Sequence, residues 1–311
     1  WWGGDDLPNV NEMEPSYRDF IYRGENSVIR HWMKTGVKGW RLDVADELPD
    51  DFIKEIRIFL KAADPEAVLI GEVWEDASNK ISFGKLREYL WGEELDSTMN
   101  YPLRSIFLDF MLEKKDAFVT HRRIMSLYEN YPRENFYAAM NLIGSHDRER
   151  ILTLLGEAPD AEKLTEREKE KFRLEGTARK LGIKRLKLLS LMQMTFPGVP
   201  CIYYGDEAGM EGYADPYNRG TYPWGFEDQE LISWYKRIIR LRREYGVIQE
   251  GEFSSFYQGK DVYGYRLKGI SEEIMVIINR NTSLGRKVKA DFLSAREEKS
   301  LVLDLLEGKV I

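Results

Sequence analysis

The sequence predicts an α/β protein in which a parallel sheet built from βα units is followed by a small antiparallel β-domain. From Gly36 to about Tyr245, short apolar runs alternate with amphipathic stretches. This alternation is typical of βα units around a parallel sheet. After Gly246 the runs become short and alternating, and Gly, Asn and Ser separate them. That second pattern indicates antiparallel strands.

Several elements of each part can be placed from the spacing of apolar residues. Apolar residues recur at helical spacing within Asp51–Lys61 and again from Leu231 to Ile239. The charged segment Pro159–Lys180 predicts a solvated helical insertion. The predicted parallel strands are Gly36–Asp43, Ala67–Trp74, Met99–Leu103, Tyr137–Ile143 and Val199–Tyr204. The predicted strands of the β-domain are Phe253–Tyr257, Val262–Leu267, Ile274–Ile278, Lys287–Ala290 and Leu301–Leu306.

The composition narrows the class of partner. The chain has 311 residues and a net charge of −7, so it lacks the basic footprint that holds nucleic acid or an anionic membrane surface. Its single cysteine, Cys201, excludes a disulfide framework and a multi-cysteine metal site. No apolar stretch approaches the roughly 18 residues of a membrane span. We therefore expect a neutral substrate, and neither nucleic acid nor membrane as a partner.

Acidic residues stand at the ends of three predicted strands. Asp43 follows Arg41 by two positions, so the two side chains share one face of the strand. Glu72 ends the run Ala67–Gly71, and Asp147 follows Leu142–His146. Active sites of parallel barrels are built at these strand ends. For Arg41 and Asp43 a purely structural ion pair is the alternative.

Three acids at a barrel mouth fit two chemistries. They could hold a divalent metal, as in enolase-like barrels, or act on a sugar as nucleophile, proton donor and electrostatic stabiliser. No lysine ends the predicted strands to act as the base of an enolase-like site. Aromatic rings, which stack on the apolar faces of sugars, lie in or beside the strand ends at Trp40, Trp74, Tyr203, Tyr204 and Trp224. The residues therefore favour a sugar substrate.

Several segments resemble conserved regions of the α-amylase family of glycoside hydrolases. Gly39–Glu47, Gly71–Trp74 and Ile143–Asp147 are similar to three of these regions, in the family's order. Further similarity, to the neopullulanase, cyclomaltodextrinase and amylopullulanase branch and to the family's eighth-strand region, lies in Leu7–Asn11, Pro197–Glu207 and Asp215–Trp224. The resemblance covers nearly the whole chain. It implies a retaining hydrolase of α-1,4-glucosidic bonds in maltooligosaccharides, cyclodextrins, pullulan or starch, with α-1,6 or transglycosylating activity as a variant.

The resemblance also implies a fold. It corresponds to the C-terminal part, about strands four to eight, of a (β/α)8 TIM barrel followed by a small antiparallel β-sandwich domain. Residues 1–246 would form the partial barrel, lacking strands one to three, and residues 247–311 a C-terminal β-domain that ends short of the family's last strands. We expect either the missing N-terminal half of the barrel or a second copy of the chain as a partner. Localisation, cytoplasmic or secreted, stays open.

Individual roles follow from the resemblance. Asp43 matches the nucleophile, Glu72 the general acid/base and Asp147 the stabiliser of the transition state. The predicted substrate-binding residues are Arg41, which holds the nucleophile, His146 at the cleaved subsite, Glu47 on the acceptor side, Trp74, and Asp215 with Arg219 on the donor side. Asp46 replaces the family's usual asparagine beside Glu47, and a loop salt bridge is the alternative for Asp215 and Arg219.

Two further expectations concern metals and the rival class. The family's third-strand region, which carries a substrate histidine and in many members a calcium ligand, has no match here. We expect no cofactor or metal within this segment, and calcium only in a full-length protein. The rival is a non-catalytic scaffold, such as the amylase-like subunits of amino-acid transporters, which lose the acids. A charged fraction of 32% with few glutamines indicates a thermophile.

The first prediction is that the 311-residue chain alone does not hydrolyse starch-like substrates. A barrel of five strands would expose two sheet edges and an uncovered interior, whereas a closed barrel has none. The measurement is glucose or maltose release from maltoheptaose or γ-cyclodextrin by the purified monomer. Near-full activity would contradict the prediction, and recovery on adding an N-terminal half would support it.

Overall fold

The computed structural model describes residues 5–281 and the backbone of two short strands beyond them. The chain divides into two compact units. The first comprises Trp1–Leu108, Arg123–Ile143 and Pro197–Tyr203, and the second comprises Asp109–Arg122, Gly144–Phe196 and Tyr204–Ile311. Within the described residues, no helix is long and apolar enough to cross a membrane.

Helices and strands alternate through most of the chain. The helices are α1 Pro15–Arg18, α2 Val28–Lys34, α3 Asp50–Ala63, α4 Tyr101–Met111, α5 Ala117–Asn130, α6 Arg133–Ala138, α7 Ile151–Leu155, α8 Glu166–Lys171, α9 Gly176–Thr195, α10 Gln229–Glu244 and α11 Val247–Glu250. A π-helical turn spans Asp19–Arg23, and 3-10 turns span Ala45–Glu47, Ala161–Lys163 and Tyr217–Arg219. The strands are β1 Gly39–Leu42, β2 Val68–Gly71, β3 Ile81–Ser82, β4 Lys85–Leu86, β5 Ser97–Thr98, β6 Met140–Leu142, β7 Val199–Cys201, β8 Glu252–Gln258, β9 Val262–Lys268, β10 Glu273–Asn279, β11 Leu303–Asp304 and β12 Lys309–Val310.

Five parallel strands follow one another in the first unit. β1 pairs with β2 and β2 with β5, and β6 pairs with β7, all in parallel. A parallel bridge between Met99 and Met140 joins the two groups. The five strands therefore lie side by side in the order in which they occur along the chain, as expected of successive βα units. The predicted parallel sheet is confirmed. Four of its strands are shorter than the apolar runs that predicted them, and the remaining strand, β5, lies outside any predicted run.

The predicted strand Met99–Leu103 is wrong. The strand ends at Thr98, and helix α4 begins at Tyr101. The cause is Asn100, whose Oδ1 accepts the backbone N–H of Leu103 at 3.1 Å. Such a side-chain acceptor satisfies an N–H group at a helix start, which favours helix over strand. Leu103, Ile106 and Phe107 are then buried at helical spacing.

Helix α3 is tied to the parallel sheet by the carboxylate of Asp96. Its oxygens accept the backbone N–H of Leu69 on β2 at 2.9 Å and a hydrogen bond from Arg57 on α3 at 2.6 Å. Lys61, one turn further along α3, lies 3.2 Å away. The apolar face predicted for this helix is buried through Phe52, Ile53, Ile56 and Leu60, so that prediction is confirmed.

The second unit contains an antiparallel sheet in the order β10-β9-β8. Phe253 and Tyr265 of this sheet lie against Phe196, with ring centroids 5.1 and 5.4 Å away. The Tyr265 and Thr195 hydroxyls are 2.5 Å apart. Three strands of the predicted β-domain are thereby confirmed.

The two remaining predicted strands, Lys287–Ala290 and Leu301–Leu306, fall near the end of the chain. Lys287–Ala290 lies outside the described residues. Within Leu301–Leu306, the backbone of β11 pairs antiparallel with β12. The domain boundary between residues 246 and 247 stays a prediction.

One buried carboxyl has no structural partner among residues 5–281. Glu94 is 0% exposed, and neither of its oxygens accepts or donates a hydrogen bond. Burial raises the pKa of Glu94 to about 7, and the charge of Asp50 adds to the effect, while Arg87 and Lys54 oppose it. The native state therefore holds a proton on Glu94 at pH values where the unfolded chain has released it.

The second prediction concerns the Glu94→Gln variant. Because the native pKa lies above the unfolded value, stability conferred by the protonated carboxyl is present at pH 4 and lost as pH rises through about 7. Glutamine cannot ionise, so the free energy of unfolding of the variant minus that of wild type should be about 1–3 kcal/mol higher at pH 8 than at pH 5. Urea unfolding at both pH values measures this. Glu93→Gln, at a side chain 75% exposed, is the control and should show no such pH dependence.

Candidate active site

The carboxylates of Asp43 and Glu72 meet at one arginine. In the register of the parallel sheet Leu42 lies opposite Gly71, so Asp43 and Glu72 are the next residues on neighbouring strands. Arg41 donates to Asp43 through Nη1, and its Nη2 lies 3.0 Å from Glu72 Oε2. One guanidinium therefore contacts both acids, as its planar fork of donors allows.

The two acids differ sharply in exposure. The Glu72 side chain is 4% exposed, whereas that of Asp43 is 66% exposed. A buried carboxylate needs hydrogen bonds and an opposite charge to offset its lost hydration. Arg41 supplies the charge, and the exposed Asp43 stays accessible to a ligand.

A strained residue holds Glu72 in place. Val44 has φ +41 and ψ 62, in the left-handed region that β-branched residues rarely adopt. In this conformation its N–H donates to Glu72 Oε2 at 2.9 Å. The next N–H, of Ala45, donates to the Glu72 carbonyl at 3.1 Å. Strain of this kind costs about 1–3 kcal/mol and marks functional sites. Nothing in the sequence signals it, since valine is among the least expected residues there.

Trp74 and Glu47, the two other predicted substrate-binding residues of this unit, are both half-buried. Trp74 is half-buried and stacks on Tyr101, with ring centroids 4.3 Å apart and planes within 4°. Glu47 lies half-buried on the turn Ala45–Glu47. Beside it, the Asp46 carboxylate accepts the Tyr89 hydroxyl at 2.7 Å and lies 3.0 Å from Lys80. Asp46 is thus held by the protein, and binding roles for Trp74 and Glu47 stay predictions.

Arg41, Asp43 and Glu72 form the first group of predicted site residues. A second group of predicted site residues lies within the second unit. His146 Nε2 is 3.2 Å from Asp147 Oδ2, and Arg219 Nη2 is 3.8 Å from Asp147 Oδ1. Arg219 also pairs with Asp215 at 3.1 Å. The structure thus brings together His146, Asp147, Asp215 and Arg219, all of them at least a quarter exposed. The predicted alternative, a loop salt bridge between Asp215 and Arg219, exists as a contact and does not conflict with ligand binding.

Sequence reasoning missed several buried polar groups of this unit, of which Asn218 supports the second group. Asn218 is 0% exposed, and its amide donates to the carbonyls of His146 and Arg148, each at 2.8 Å. The Arg150 and Asp206 side chains, both fully buried, lie 3.3 Å apart. Asp206 directly follows the segment Pro197–Gly205 and so repeats the strand-end signal of Asp147. A buried arginine such as Arg150 has no comparable signal.

The ligands of a metal ion would lie together as a cluster of side chains. Among residues 5–281, no three His, Cys, Asp or Glu side chains come together as metal ligands would. The acids at the two groups are instead engaged by Arg41 and Arg219. The prediction that this segment holds no metal stays a prediction.

Paired carboxylates at the ends of neighbouring parallel strands are an arrangement that glycoside-hydrolase barrels use. The comparison with known proteins agrees with this class. The chain belongs to the alpha-amylase family, because the model of the alpha amylase catalytic domain matches residues 4–230. The predicted family and its TIM-barrel glycoside-hydrolase fold are thereby confirmed.

Named relatives are glycosidases of this family. The chain is 34% identical to an amylopullulanase of Thermoanaerobacter thermohydrosulfuricus, over 99% of this chain and 22% of the relative. It is 32% identical to a cyclomaltodextrinase of Thermoanaerobacter pseudethanolicus, over 97% of this chain and 46% of the relative. The structure of the debranching enzyme of Nostoc punctiforme superimposes with a TM-score of 0.74 at 28% identity, covering 91% of this chain and 55% of that one. The chain thus spans about half or less of the length of these relatives.

The third prediction tests the support of the second group. Asn218→Ala leaves the carbonyls of His146 and Arg148 without a buried donor, so the free energy of unfolding should fall by about 1–3 kcal/mol. Chemical denaturation measures it. Asn130→Ala removes a single amide hydrogen bond to Asp76 at the surface and should change stability by less than about 0.5 kcal/mol. Equal effects of the two substitutions would contradict the assignment.

Proposed function

We propose that the protein containing this chain is a retaining glycoside hydrolase that cleaves α-1,4-glucosidic bonds of maltooligosaccharides, cyclodextrins, pullulan or starch. The observation that carries the proposal is the contact of one guanidinium, that of Arg41, with both Asp43 and Glu72. A retaining mechanism requires two carboxyl groups about 5–5.5 Å apart, one to attack and one to move a proton. Arg41 lies on one of two adjacent parallel strands and contacts both acids, which is compatible with that spacing.

The proposed reaction has two steps. Asp43 attacks the anomeric carbon while Glu72 donates its proton to the departing glycosidic oxygen, which leaves a covalent glycosyl ester on Asp43. Glu72 then takes a proton from water, and the resulting nucleophile displaces Asp43 and restores the anomeric configuration. The exposure of Asp43 suits a nucleophile that must reach the sugar, and the fixed position of Glu72 suits proton transfer in a defined direction.

Asp147 completes the proposed machinery as the stabiliser of the oxocarbenium-like transition state. Its carboxylate is 26% exposed and has His146 and Arg219 as close neighbours. His146, 42% exposed, can donate to sugar hydroxyls, and Asp215 with Arg219 would contact sugars on the donor side. The proposed reaction needs no cofactor from this chain, and calcium stays a prediction for the full-length protein.

The substrate class draws support from the relatives. The relatives bear the names amylopullulanase, cyclomaltodextrinase and debranching enzyme, and pullulan and cyclodextrins are among the substrates proposed here. The proposal therefore keeps α-1,6 cleavage and transglycosylation as variants of the main α-1,4 activity.

The finer architecture also belongs to the proposal. We assign β1, β2, β5, β6 and β7 to strands four to eight of the family's barrel, and β8–β10 to its C-terminal β-sandwich. Among the described strands, β1 and β7 each have one strand neighbour. Closing the barrel requires further strands, from an N-terminal part of the protein or from a second copy of this chain.

The fourth prediction tests the three acids in the full-length protein. Asp43→Asn and Glu72→Gln should lower kcat by about 10²–10⁴-fold, because each removes a covalent or proton-transfer role and keeps the side-chain shape. Asp147→Asn should lower it by about 10²–10³-fold through lost electrostatic stabilisation. Maltoheptaose hydrolysis gives kcat, and calorimetric titration should show that oligosaccharide binding survives.

Controls separate this proposal from its rival. Asp51→Asn and Glu66→Gln replace exposed acids outside both groups and should leave kcat unchanged. A variant of Asp43, Glu72 or Asp147 that kept more than about a tenth of wild-type kcat would refute its assigned role. Binding without any hydrolysis by the wild-type full-length protein would instead favour the non-catalytic scaffold.

A further inference from the structure

The segment between β2 and β5 packs on the turn that follows β1. This segment contains the hairpin of β3, Ile81–Ser82, and β4, Lys85–Leu86. The turn Ala45–Glu47 begins directly after Val44, whose N–H donates to Glu72 Oε2 at 2.9 Å. The hairpin and the turn belong to the same compact unit. The hairpin segment therefore contacts the backbone that holds one of the two paired acids.

Arg87, directly after β4, makes most of this contact. Its side chain is 4% exposed. Nη1 donates to the Asp46 carbonyl at 2.8 Å, while Nη2 donates to the carbonyls of Leu48 at 2.6 Å and Ala45 at 3.4 Å. Nε donates to Asp50 Oδ1 at 2.6 Å. One guanidinium thus satisfies the carbonyls of the turn and pairs with a carboxylate, as its five donors allow.

Three further side chains of the segment hold Asp46 itself. The Ser82 hydroxyl donates to its carbonyl at 3.0 Å, the Tyr89 hydroxyl donates to its carboxylate at 2.7 Å, and Lys80 lies 3.0 Å from the other carboxylate oxygen. The Arg87 guanidinium lies over the Tyr89 ring, 4.7 Å from its centroid. We call Lys80, Ser82, Arg87 and Tyr89 the clamp. The clamp therefore fixes the turn through both its backbone and its side chain.

The clamp accounts for the persistence of the strained backbone at Val44. A φ of +41 is unfavourable for a β-branched residue, and such a conformation persists only where the surrounding structure over-determines it. The Arg87 hydrogen bonds fix the residues that follow Val44, and Ala45 is itself fully buried. If these hydrogen bonds were lost, Val44 could relax towards a negative φ. Its N–H would then leave Glu72.

The orientation of the Glu72 carboxyl depends on that N–H. Val44 N–H and Arg41 Nη2 both contact Oε2, at 2.9 and 3.0 Å. Two donors from different directions fix the plane of the carboxyl group and therefore the direction in which it can transfer a proton. A displacement of about 1 Å in a reacting group can lower a rate roughly 10²-fold. Release of the Val44 N–H would therefore affect proton transfer.

We propose that Arg87, with the rest of the clamp, is a positioning residue for proton transfer by Glu72. This inference rests on the proposed function, because it takes Glu72 as the general acid/base. The clamp acts through the turn and the Val44 N–H and takes no part in the chemistry itself. Its loss should impair a step that needs a proton from Glu72 and spare a step that does not.

The fifth prediction compares two substrates that differ only in their leaving group, in the full-length protein. The phenol released from 2-chloro-4-nitrophenyl α-maltotrioside is acidic and departs without a proton, whereas the phenol released from 4-methoxyphenyl α-maltotrioside needs one. Arg87→Lys keeps the charge but loses the planar fork that spans the carbonyls. It should lower kcat/KM about tenfold for the methoxyphenyl substrate and less than about twofold for the chloronitrophenyl substrate. Ser82→Ala and Tyr89→Phe each remove one hydrogen bond and should give smaller losses with the same selectivity.

Hydrogen exchange tests the position of the turn without any need for turnover. The Val44 and Ala45 amides donate to the side chain and the carbonyl of Glu72, so they are protected from exchange with solvent. In Arg87→Lys the exchange of these two amides, followed by mass spectrometry of the peptide that contains them, should be about tenfold faster than in wild type.

Arg280→Lys is the matched control. Arg280 is a buried arginine of the second unit that donates to the carbonyls of Phe110 and Lys115 at 2.6 and 2.5 Å and lies 3.3 Å from Asp261. Its replacement should lower the free energy of unfolding, as the loss of a buried donor does. It should change neither the ratio of the two kcat/KM values nor the exchange at Val44.

The outcomes separate this inference from the proposed function. Equal losses on the two substrates in Arg87→Lys, or unchanged exchange at Val44, overturn the clamp and leave the proposed function standing. If the wild-type protein hydrolyses neither substrate, the proposed function fails. Exchange at Val44 then decides the clamp alone, which is supported if exchange is faster in Arg87→Lys than in Arg280→Lys and overturned if it is equal. If Arg87→Lys does not fold, Ser82→Ala and Tyr89→Phe decide by the same two measurements.

Discussion

The contact of Arg41 with Asp43 and Glu72 is the constraint on which the arrangement of the first group depends. Two carboxylates that close would repel each other, and burial of one of them adds a desolvation cost. Arg41 offsets both effects because it lies on β1, two residues before Asp43 and beside β2, which ends at Gly71 directly before Glu72. The sheet register thus determines that these three charged groups lie close together. A shift of one residue in that register would turn the partner side chains to the other face of the sheet.

Close packing behind the strands keeps the register fixed. A Cβ at Gly71 would lie 2.4 Å from Leu95 Cδ1, so a larger residue at that position would require the buried Leu95 side chain to move. Asp96 connects β2 to α3 through Leu69 and Arg57. With these positions fixed, the backbone after Asp43 must turn sharply to bring the Val44 N–H to Glu72, and Val44 adopts its left-handed conformation there. The local strain is therefore the cost of satisfying a buried carboxylate, and the surrounding packing offsets it.

The sequence predicted the parts that depend on pattern. The parallel sheet, the helix α3 and three antiparallel strands follow from apolar spacing, and the acids Asp43, Glu72 and Asp147 follow from their positions at strand ends. The strand prediction that failed depends on which group a single side chain bonds to. The run Met99–Leu103 is apolar enough for a strand, but Asn100 caps a helix there. The left-handed conformation of Val44 and the burial of Arg150 beside Asp206 arise from three-dimensional satisfaction of polar groups, and no local pattern encodes either of them.

The sequence correctly predicts that the charged segment Pro159–Lys180 is exposed, but it does not show which residues this segment contacts. Its helix α8 is largely exposed, as a solvated insertion should be. Yet Tyr217 donates to Glu166 on that helix, and Tyr213 donates to the Pro159 carbonyl at 2.8 Å, so the segment packs on the loop that carries Asp215 and Arg219. Lys169 and Arg173 thereby line the same cavity as Arg219. Surface charge that would otherwise be only solvated becomes a set of hydrogen-bond donors at fixed positions. In parallel barrels the long loops after the strands commonly carry the groups that bind ligands.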